Sequence, residues 1–278
     1  MAAPAKINLV LEVLRKREDG FHEVDTILQE LRLSDRVSIR TNDHPGMDVA
    51  GRWSEGCPAD ATNLAWQAAM TLLDLIGDPV QGLRIGLDKN IPPARGLGGG
   101  SSDAAATLRL LGSALGVPRN KIEAAAARTG SDVPFFLEGG TARAQGRGEI
   151  ISGVPRLREH GVVLFVPTET LEQKTATLFK KLGRLPFTER GTVSSFLQAG
   201  SGFLDPADLS NSFERVAFEA FPGLRDLRAV IEDAIDSRVS LTGAGPTLFW
   251  IGPLQAAVDI SRRASGLPCE VIETSTAR

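Results

Sequence analysis

Gly96-Leu97-Gly98-Gly99-Gly100-Ser101-Ser102-Asp103 puts four glycines into five residues, directly ahead of an apolar helical pattern. Such a stretch packs no side chains. It offers bare backbone N–H groups and ready access to φ > 0, so it can wrap closely around a ligand. Ser101, Ser102 and Asp103 are expected to cap the following helix, and Leu108, Leu111 and Leu115 form its apolar stripe. Upstream, Leu83, Ile85 and Leu87 alternate as a strand does, and Pro92-Pro93 ends it. Strand, glycine loop and helix amino end together make an anion site, because unpaired amides and the helix dipole point at one spot. A flexible linker would not run straight into a capped, periodic helix. A Walker loop is excluded because no lysine stands before Ser101-Ser102, and a Rossmann turn because its third glycine would fall at Ser101.

The chain has 278 residues, enough for one large or two ordinary domains with a substantial core. A net charge of −3 leaves no electrostatic footprint for nucleic acid. Cys57 and Cys269 have no metal-ligand spacing and imply no disulfide framework. No apolar run reaches membrane-spanning length, and the amino end, with Lys6 and Asn8, has no signal-peptide core. The expected location is cytoplasmic, with no nucleic-acid or membrane partner.

Ile7, Leu9, Leu11 and Val13 alternate toward a core, which leaves Lys6 and Asn8 on the opposite face as either a solvated edge or one wall of a site. Residue types alone favour the edge. Phe21-His22 follows a charged turn, where a packing residue with an exposed neighbour is the commoner arrangement. Val24–Leu33 and Val37–Arg40 are expected as two strands joined by a turn at Ser34-Asp35, with 42–56 a loop or a ragged strand. Asn63 starts a helix, another runs over Lys121–Arg128, and Asp132 either caps a short helix or serves chemistry. After a hairpin at 141–151 the pattern restarts near Ser152-Gly153, which sets domains at 1–152 and 153–278. The second holds a buried strand at 162–166, a helix over 171–182 that aligns Thr175 with Phe179, a weakly patterned 188–202, and then helices and strands around a Thr242-Gly243-Ala244-Gly245-Pro246 turn. The expected class is α+β.

Three separated stretches resemble the motifs of the GHMP kinases: Pro4-Ala5-Lys6-Ile7-Asn8-Leu9, the loop from Pro92 through Ser102, and Leu241–Thr247. Asp19-Gly20-Phe21-His22 and Gly130-Ser131-Asp132-Val133-Pro134-Phe135-Phe136 are most similar to the branch whose acceptor is a methylerythritol carrying a cytidine diphosphate group, on the route to isoprenoid precursors. The resemblance implies a ribosomal S5 domain 2-like amino-terminal domain, a ferredoxin-like carboxyl-terminal domain, and substrates in the cleft between them. It implies ATP with Mg²⁺, the metal ligands being unknown, and a monomer or homodimer. Lys6 and Asp132 would be catalytic. Asn63, Leu64 and Lys89 would lie along the adenosine, and Pro92, Pro93, Ala94, Arg95, Gly96, Leu97, Gly98, Gly99, Gly100, Ser101 and Ser102 along the phosphates. Phe21 and Phe179 would clamp the cytosine, His22 would meet its polar edge, and Asn8, Thr175, Gly243 and Gly245 would line the rest of the acceptor.

Two positions depart from the family's usual wording. Phe21 stands where tyrosine is common, and Ala94-Arg95 stands where the loop usually carries small residues, glycine first. Homoserine or mevalonate acceptors are the alternative within the family, and the base-stacking residues speak against them. A non-catalytic nucleotide-binding regulator is the alternative outside it, and the presence of both Lys6 and Asp132 speaks against that.

Overall fold

The computed structural model describes residues 1–78, 80–168, 171, 174–188, 191–199, 204 and 206–277. In chain order the elements are β1 (Ala2–Lys16), β2 (His22–Thr41), β3 (Gly46–Ala50), α1 (Leu64–Ile76), β4 (Leu83–Asp88), α2 (Gly99–Leu115), α3 (Arg119–Thr129), α4 (Val133–Glu138), β5 (Thr141–Gly146) and β6 (Ile150–Gly153). Then follow β7 (Gly161–Val166), α5 (Lys174–Leu182), α6 (Thr192–Ala199), β8 (Ser210–Asn211), α7 (Glu214–Ala220), α8 (Leu224–Ile235), β9 (Ser240–Leu241), β10 (Leu248–Gly252), α9 (Ala257–Arg263) and β11 (Glu270–Ser275). Residues 172 and 173 of the expected 171–182 helix, and 189, 190 and 200–202 of the weakly patterned stretch, lie outside the described residues.

Contacts divide the chain into two compact units that interleave along it. One comprises Met1–Ala5, Leu33–Pro93 and Gly98–Gly139, the other Lys6–Arg32, Ala94–Leu97 and Gly140–Arg278. Strands β1 and β2 each pass from one unit into the other.

In the first unit β4 pairs antiparallel with the end of β2 and parallel with β3. Helix α1 packs on α2 and α3, and α2 packs on α4 as well. Small residues are buried on both helices: Ala65, Ala68 and Ala69 on α1, and Ala104, Ala105 and Ala106 on α2. Small side chains let helix backbones approach closely, so the amino end of α2 is held by packing along its whole length.

In the second unit β5 pairs with residues 24–29 of β2 and with β6, and β8 pairs parallel with β1. A separate antiparallel sheet has the order β11-β7-β10-β9. Taken first to fourth along the chain these strands lie 4-1-3-2, the order of the ferredoxin-like fold. Strand β7 is buried at every residue, which suits a Gly-Val-Val-Leu-Phe-Val run flanked on both sides. Val163, Phe165, Leu248 and Trp250 form this unit's core with Leu224, Ile231 and Ile235 of α8.

Two expectations are corrected here. There is no turn at Ser34-Asp35: β2 is one strand of 20 residues that changes partners, from β5 at 24–29 to β4 at 36–41. Lys6 and Asn8 are not a solvated edge. Each is 4% exposed: β8 meets β1 only at Val10 and Leu11, and beside Lys6 and Asn8 the strand is covered by Leu97 and Thr242, which accept their backbone N–H groups.

Candidate active site

The glycine loop bends through left-handed backbone at Ala94 (φ 55°), Gly96 (φ 88°) and Gly98 (φ 74°). Gly98 is the amino cap of α2, and no side chain caps the helix. Ser101, Ser102 and Asp103 therefore do not cap, contrary to expectation. They lie inside the helix, whose first intrahelical bond runs from Ser102 N–H to Gly98 C=O at 2.9 Å. The amides ahead of that bond have no capping side chain, and the Ser102 hydroxyl is buried without a hydrogen-bond partner. Uncapped amides and a buried, unsatisfied hydroxyl at a helix amino end fit an incoming anion. Leu64 borders this end, its Cδ1 3.5 Å from where a Cβ on Gly100 would stand.

The two ends of the loop are pinned from beneath. Lys89 lies directly after β4, 2% exposed, with its ammonium held between Asp35 of β2 and Asp103 of α2. Asp35 also accepts the N–H groups of Asn90 (2.5 Å) and Ile91 (2.8 Å), the residues just before Pro92-Pro93. One carboxylate thus holds the chain entering the loop, the other belongs to the helix leaving it, and the lysine joins them. Burial pushes the Asp103 carboxyl up to about 7, against the pull of Lys89 and with the push of Asp35. Lys89, expected along the adenosine, is enclosed by this cluster instead. Asn63 likewise spends its side chain on structure: Oδ1 accepts from Ala65 N–H at 2.9 Å as the cap of α1, and Nδ2 donates to Pro58 C=O at 2.7 Å.

Within the second unit Lys6 anchors the middle of the loop. Its backbone N–H donates to Leu97 C=O at 2.9 Å, and its ammonium donates to Asn8 Oδ1 at 2.6 Å. Asn8 Nδ2 in turn donates to Thr26 Oγ1 (2.8 Å), and Asn8 N–H to Thr242 Oγ1 (3.1 Å). The Thr242–Pro246 turn presses on the same loop. A Cβ on Gly96 would stand 2.5 Å from the Thr242 carbonyl oxygen, so only glycine fits there. Asn211 of β8 braces the turn by donating to the Leu241 and Gly243 carbonyls at 2.8 and 2.9 Å.

The aromatic residues expected to hold a base are assembled differently from expectation. The ring that stacks on Phe179 is His22, with centroids 4.4 Å apart and planes at 14°, and Phe213 meets Phe179 edge-on. Phe21 is 49% exposed, with the Arg147 guanidinium 4.8 Å from its ring. Burial, and then Lys16, hold the His22 imidazole below its ordinary pKa, so at neutral pH it is uncharged and can both donate and accept. Thr175, one helical turn before Phe179 on α5, is exposed. Asp132 precedes α4 in the first unit and is half-buried, and its side chain makes no cap bond. Of its two expected roles, capping is the one it does not fill.

Three residues went unseen in the sequence reading: Asp35, Arg147 and Asn211. Asp35 carried a signal, since it falls in phase with Leu31, Leu33, Val37 and Ile39 on the apolar face of its strand. Lys89 does the same after Leu83, Ile85 and Leu87, and opposite charges in the apolar phase of neighbouring strands mark a buried pair. The other two carried none. Among the described residues no group of three or more His, Cys, Asp or Glu is arranged to hold a metal, and no helix is long and apolar enough to cross a membrane.

Residues 63–140 match the GHMP kinases N terminal domain. The 4-diphosphocytidyl-2-C-methyl-D-erythritol kinase of Mycolicibacterium paratuberculosis is 40% identical over 273 residues, covering 95% of this chain and 86% of that one. A crystal structure of 4-(cytidine 5'-diphospho)-2C-methyl-D-erythritol kinase superposes with a TM-score of 0.78 at 32% identity, over 100% of this chain and 99% of the other. The mevalonate kinase of Methanococcus jannaschii, at 11% identity with a TM-score of 0.69 over 100% and 98% of the two chains, shares the fold. A glycine loop opening an uncapped helix, a ferredoxin-like sheet and this near-complete alignment agree: the chain belongs to the GHMP kinases, and within them to the 4-diphosphocytidyl-2-C-methyl-D-erythritol kinase family.

Proposed function

We propose that the chain transfers the γ-phosphoryl group of ATP to the 2-hydroxyl of 4-diphosphocytidyl-2-C-methyl-D-erythritol, a step of the methylerythritol phosphate pathway to isoprenoid precursors. The observation that carries this reading, beside family membership, is the amino end of α2, where uncapped amides meet the buried, unsatisfied Ser102 hydroxyl. The loop amides take the phosphate oxygens, and Leu64 borders the nucleotide. The buried Ser102 hydroxyl is the protein oxygen that would hold a Mg²⁺ bound with the phosphates, and such an ion would supply neutralisation of their charge. The 1–152 portion serves ATP, and 153–278 forms the carboxyl-terminal GHMP domain.

Phosphoryl transfer is chiefly positioning and electrostatic stabilisation. Lys6, fixed by Asn8 and by the Leu97 carbonyl, places a positive charge for the moving phosphoryl group. Asp132 orients the acceptor hydroxyl and takes its proton late, because a carboxylate is a weak base toward an alcohol and a loose transition state does not require early deprotonation. Phe21, His22 and Phe179 receive the cytosine, and Asn8, Thr175 and the Gly243–Gly245 backbone line the rest of the acceptor.

The test is ATP consumption with a panel of acceptors, the product being identified by mass. Turnover is expected with the cytidine diphosphate acceptor and not with methylerythritol 4-phosphate, homoserine or mevalonate. Equal turnover with an acceptor lacking the cytidine would overturn the reading.

A further inference from the structure

His22 opens β2 and Phe179 lies on α5, and their rings stack almost parallel, with centroids 4.4 Å apart and planes at 14°. Phe187 meets the same imidazole obliquely, at 6.1 Å and 59°. The imidazole thus fills a ring-sized slot between two phenylalanines of the second unit. No polar contact fixes it there. Among the described residues neither nitrogen of His22 has a hydrogen-bond partner, and Nε2 stands 4.0 Å from where a Cβ on Gly183 would lie. Phe179 is held more firmly, edge-on against Phe213 at 4.8 Å and packed on the core of the second unit. Of the two stacked rings, the imidazole is therefore the one that can leave. The contacts of Phe179 leave a base the face that His22 covers.

We infer that the His22 imidazole is a stand-in for the cytosine: it covers the face of Phe179 in the free protein, and binding of the cytidine-bearing acceptor exchanges one ring for the other. This rests on the acceptor reading given above. Magnitudes favour the exchange. An ordinary aromatic pair favours the closed ring about 2- to 13-fold, whereas stacking of a base is worth about 5- to 150-fold. Burial, and then Lys16, keep the imidazole uncharged at neutral pH, so once displaced it has one donor and one acceptor for the polar edge of the base. Only the open fraction of the protein binds, so the closed ring lowers apparent affinity by the same factor by which it is favoured. The consequence is selectivity. An acceptor without a flat base gains nothing by displacing the ring, and finds the slot filled.

The experiment is an NMR titration of the full chain, labelled in its histidine rings, with cytidine diphosphate. The chain has three histidines, and His22→Gln identifies the signals of His22. In free wild type these signals are expected upfield, in the ring current of Phe179, and Phe179→Leu should return them to the ordinary position. Saturation with cytidine diphosphate should do the same in wild type. In stopped-flow binding, His22→Ala should associate with cytidine diphosphate about 2- to 13-fold faster than wild type, because its slot is always open. It should also dissociate faster, having lost the contacts to the base edge. A histidine that only packs would leave the association rate alone. If cytidine diphosphate binds while the His22 signals stay upfield, or if His22→Ala associates no faster than wild type, the inference is wrong and the acceptor reading stands. His22 signals at their ordinary position in the free protein would also overturn it. If wild type does not bind cytidine diphosphate, inference and acceptor reading fall together. Should His22→Ala not fold, the wild-type titration decides alone.

Discussion

Lys89 donates to Asp103 at 2.6 Å, and neither side chain is more than 2% exposed. With Asp35 on its other side, this lysine ties the strand that enters the phosphate loop to the helix that leaves it. Removing the cation strands two buried carboxylates, so Lys89→Met is expected to cost about 3–5 kcal/mol of folding stability in urea unfolding. A loss under about 1 kcal/mol would show that the cluster does not hold the fold.

The same cluster sets a pH dependence. The Asp103 carboxyl is pushed up to about 7 by burial, whereas in the unfolded chain it titrates near the ordinary aspartate value of about 3.9. Across that window the native state binds more protons than the unfolded state, so this group makes stability fall as pH rises from about 4 to 7. Asp103→Asn carries no such proton. The urea midpoint of wild type should decline relative to that of Asp103→Asn between about pH 4.5 and 7. A difference that stays level, or grows in favour of wild type, would refute the raised pKa.

Ala94 holds φ at 55°, a left-handed conformation that costs an L-residue about 1–2 kcal/mol. Ala94→Gly relieves that strain and gives back about 0.4–1 kcal/mol through the freer unfolded chain. The net expectation is a stabilisation of up to about 1.5 kcal/mol, read as a higher melting temperature. Destabilisation by the glycine would mean that Ala94 earns its place by packing.

Asp132 makes no cap bond to α4, so its replacement should spare the fold and damage the chemistry. Asp132→Asn is expected to keep the wild-type melting temperature and ATP affinity and to lose roughly 10²–10⁴-fold in kcat. Turnover within a few-fold of wild type would remove Asp132 from catalysis.

Phe21 and Phe179 should separate binding from stability. Phe21 is half exposed, so Phe21→Ala is expected to weaken the acceptor by about 5- to 10-fold, the lower end of base stacking, with little change in unfolding. Phe179 packs against the core of the second unit as well as against His22, so Phe179→Ala should weaken the acceptor and also cost about 1–3 kcal/mol of stability. Acceptor and ATP KM, measured beside urea unfolding, make the comparison. Unchanged acceptor affinity in Phe21→Ala would exclude that ring from the base site.

The glycine loop, the helix behind it and the strand before it could be read from residue order, because backbone freedom, apolar periodicity and proline punctuation are local properties. The ferredoxin-like character of the second unit followed from family resemblance and is now seen in the order β11-β7-β10-β9. Tertiary structure alone decided what the polar residues do. Ser34-Asp35 has turn chemistry, yet β2 runs straight through it, because the strand exchanges β5 for β4 there and Asp35 turns inward to Lys89 and the Asn90 and Ile91 amides. Lys6 and Asn8 look like an edge until Leu97 and Thr242 cover their stretch of β1. Ser101 to Asp103 have capping side chains, yet Gly98 starts the helix and leaves its first amides uncapped. In each case a local preference worth about 1 kcal/mol yields to the burial of charge or the pairing of strands, which is worth more and is set by residues far away in the chain.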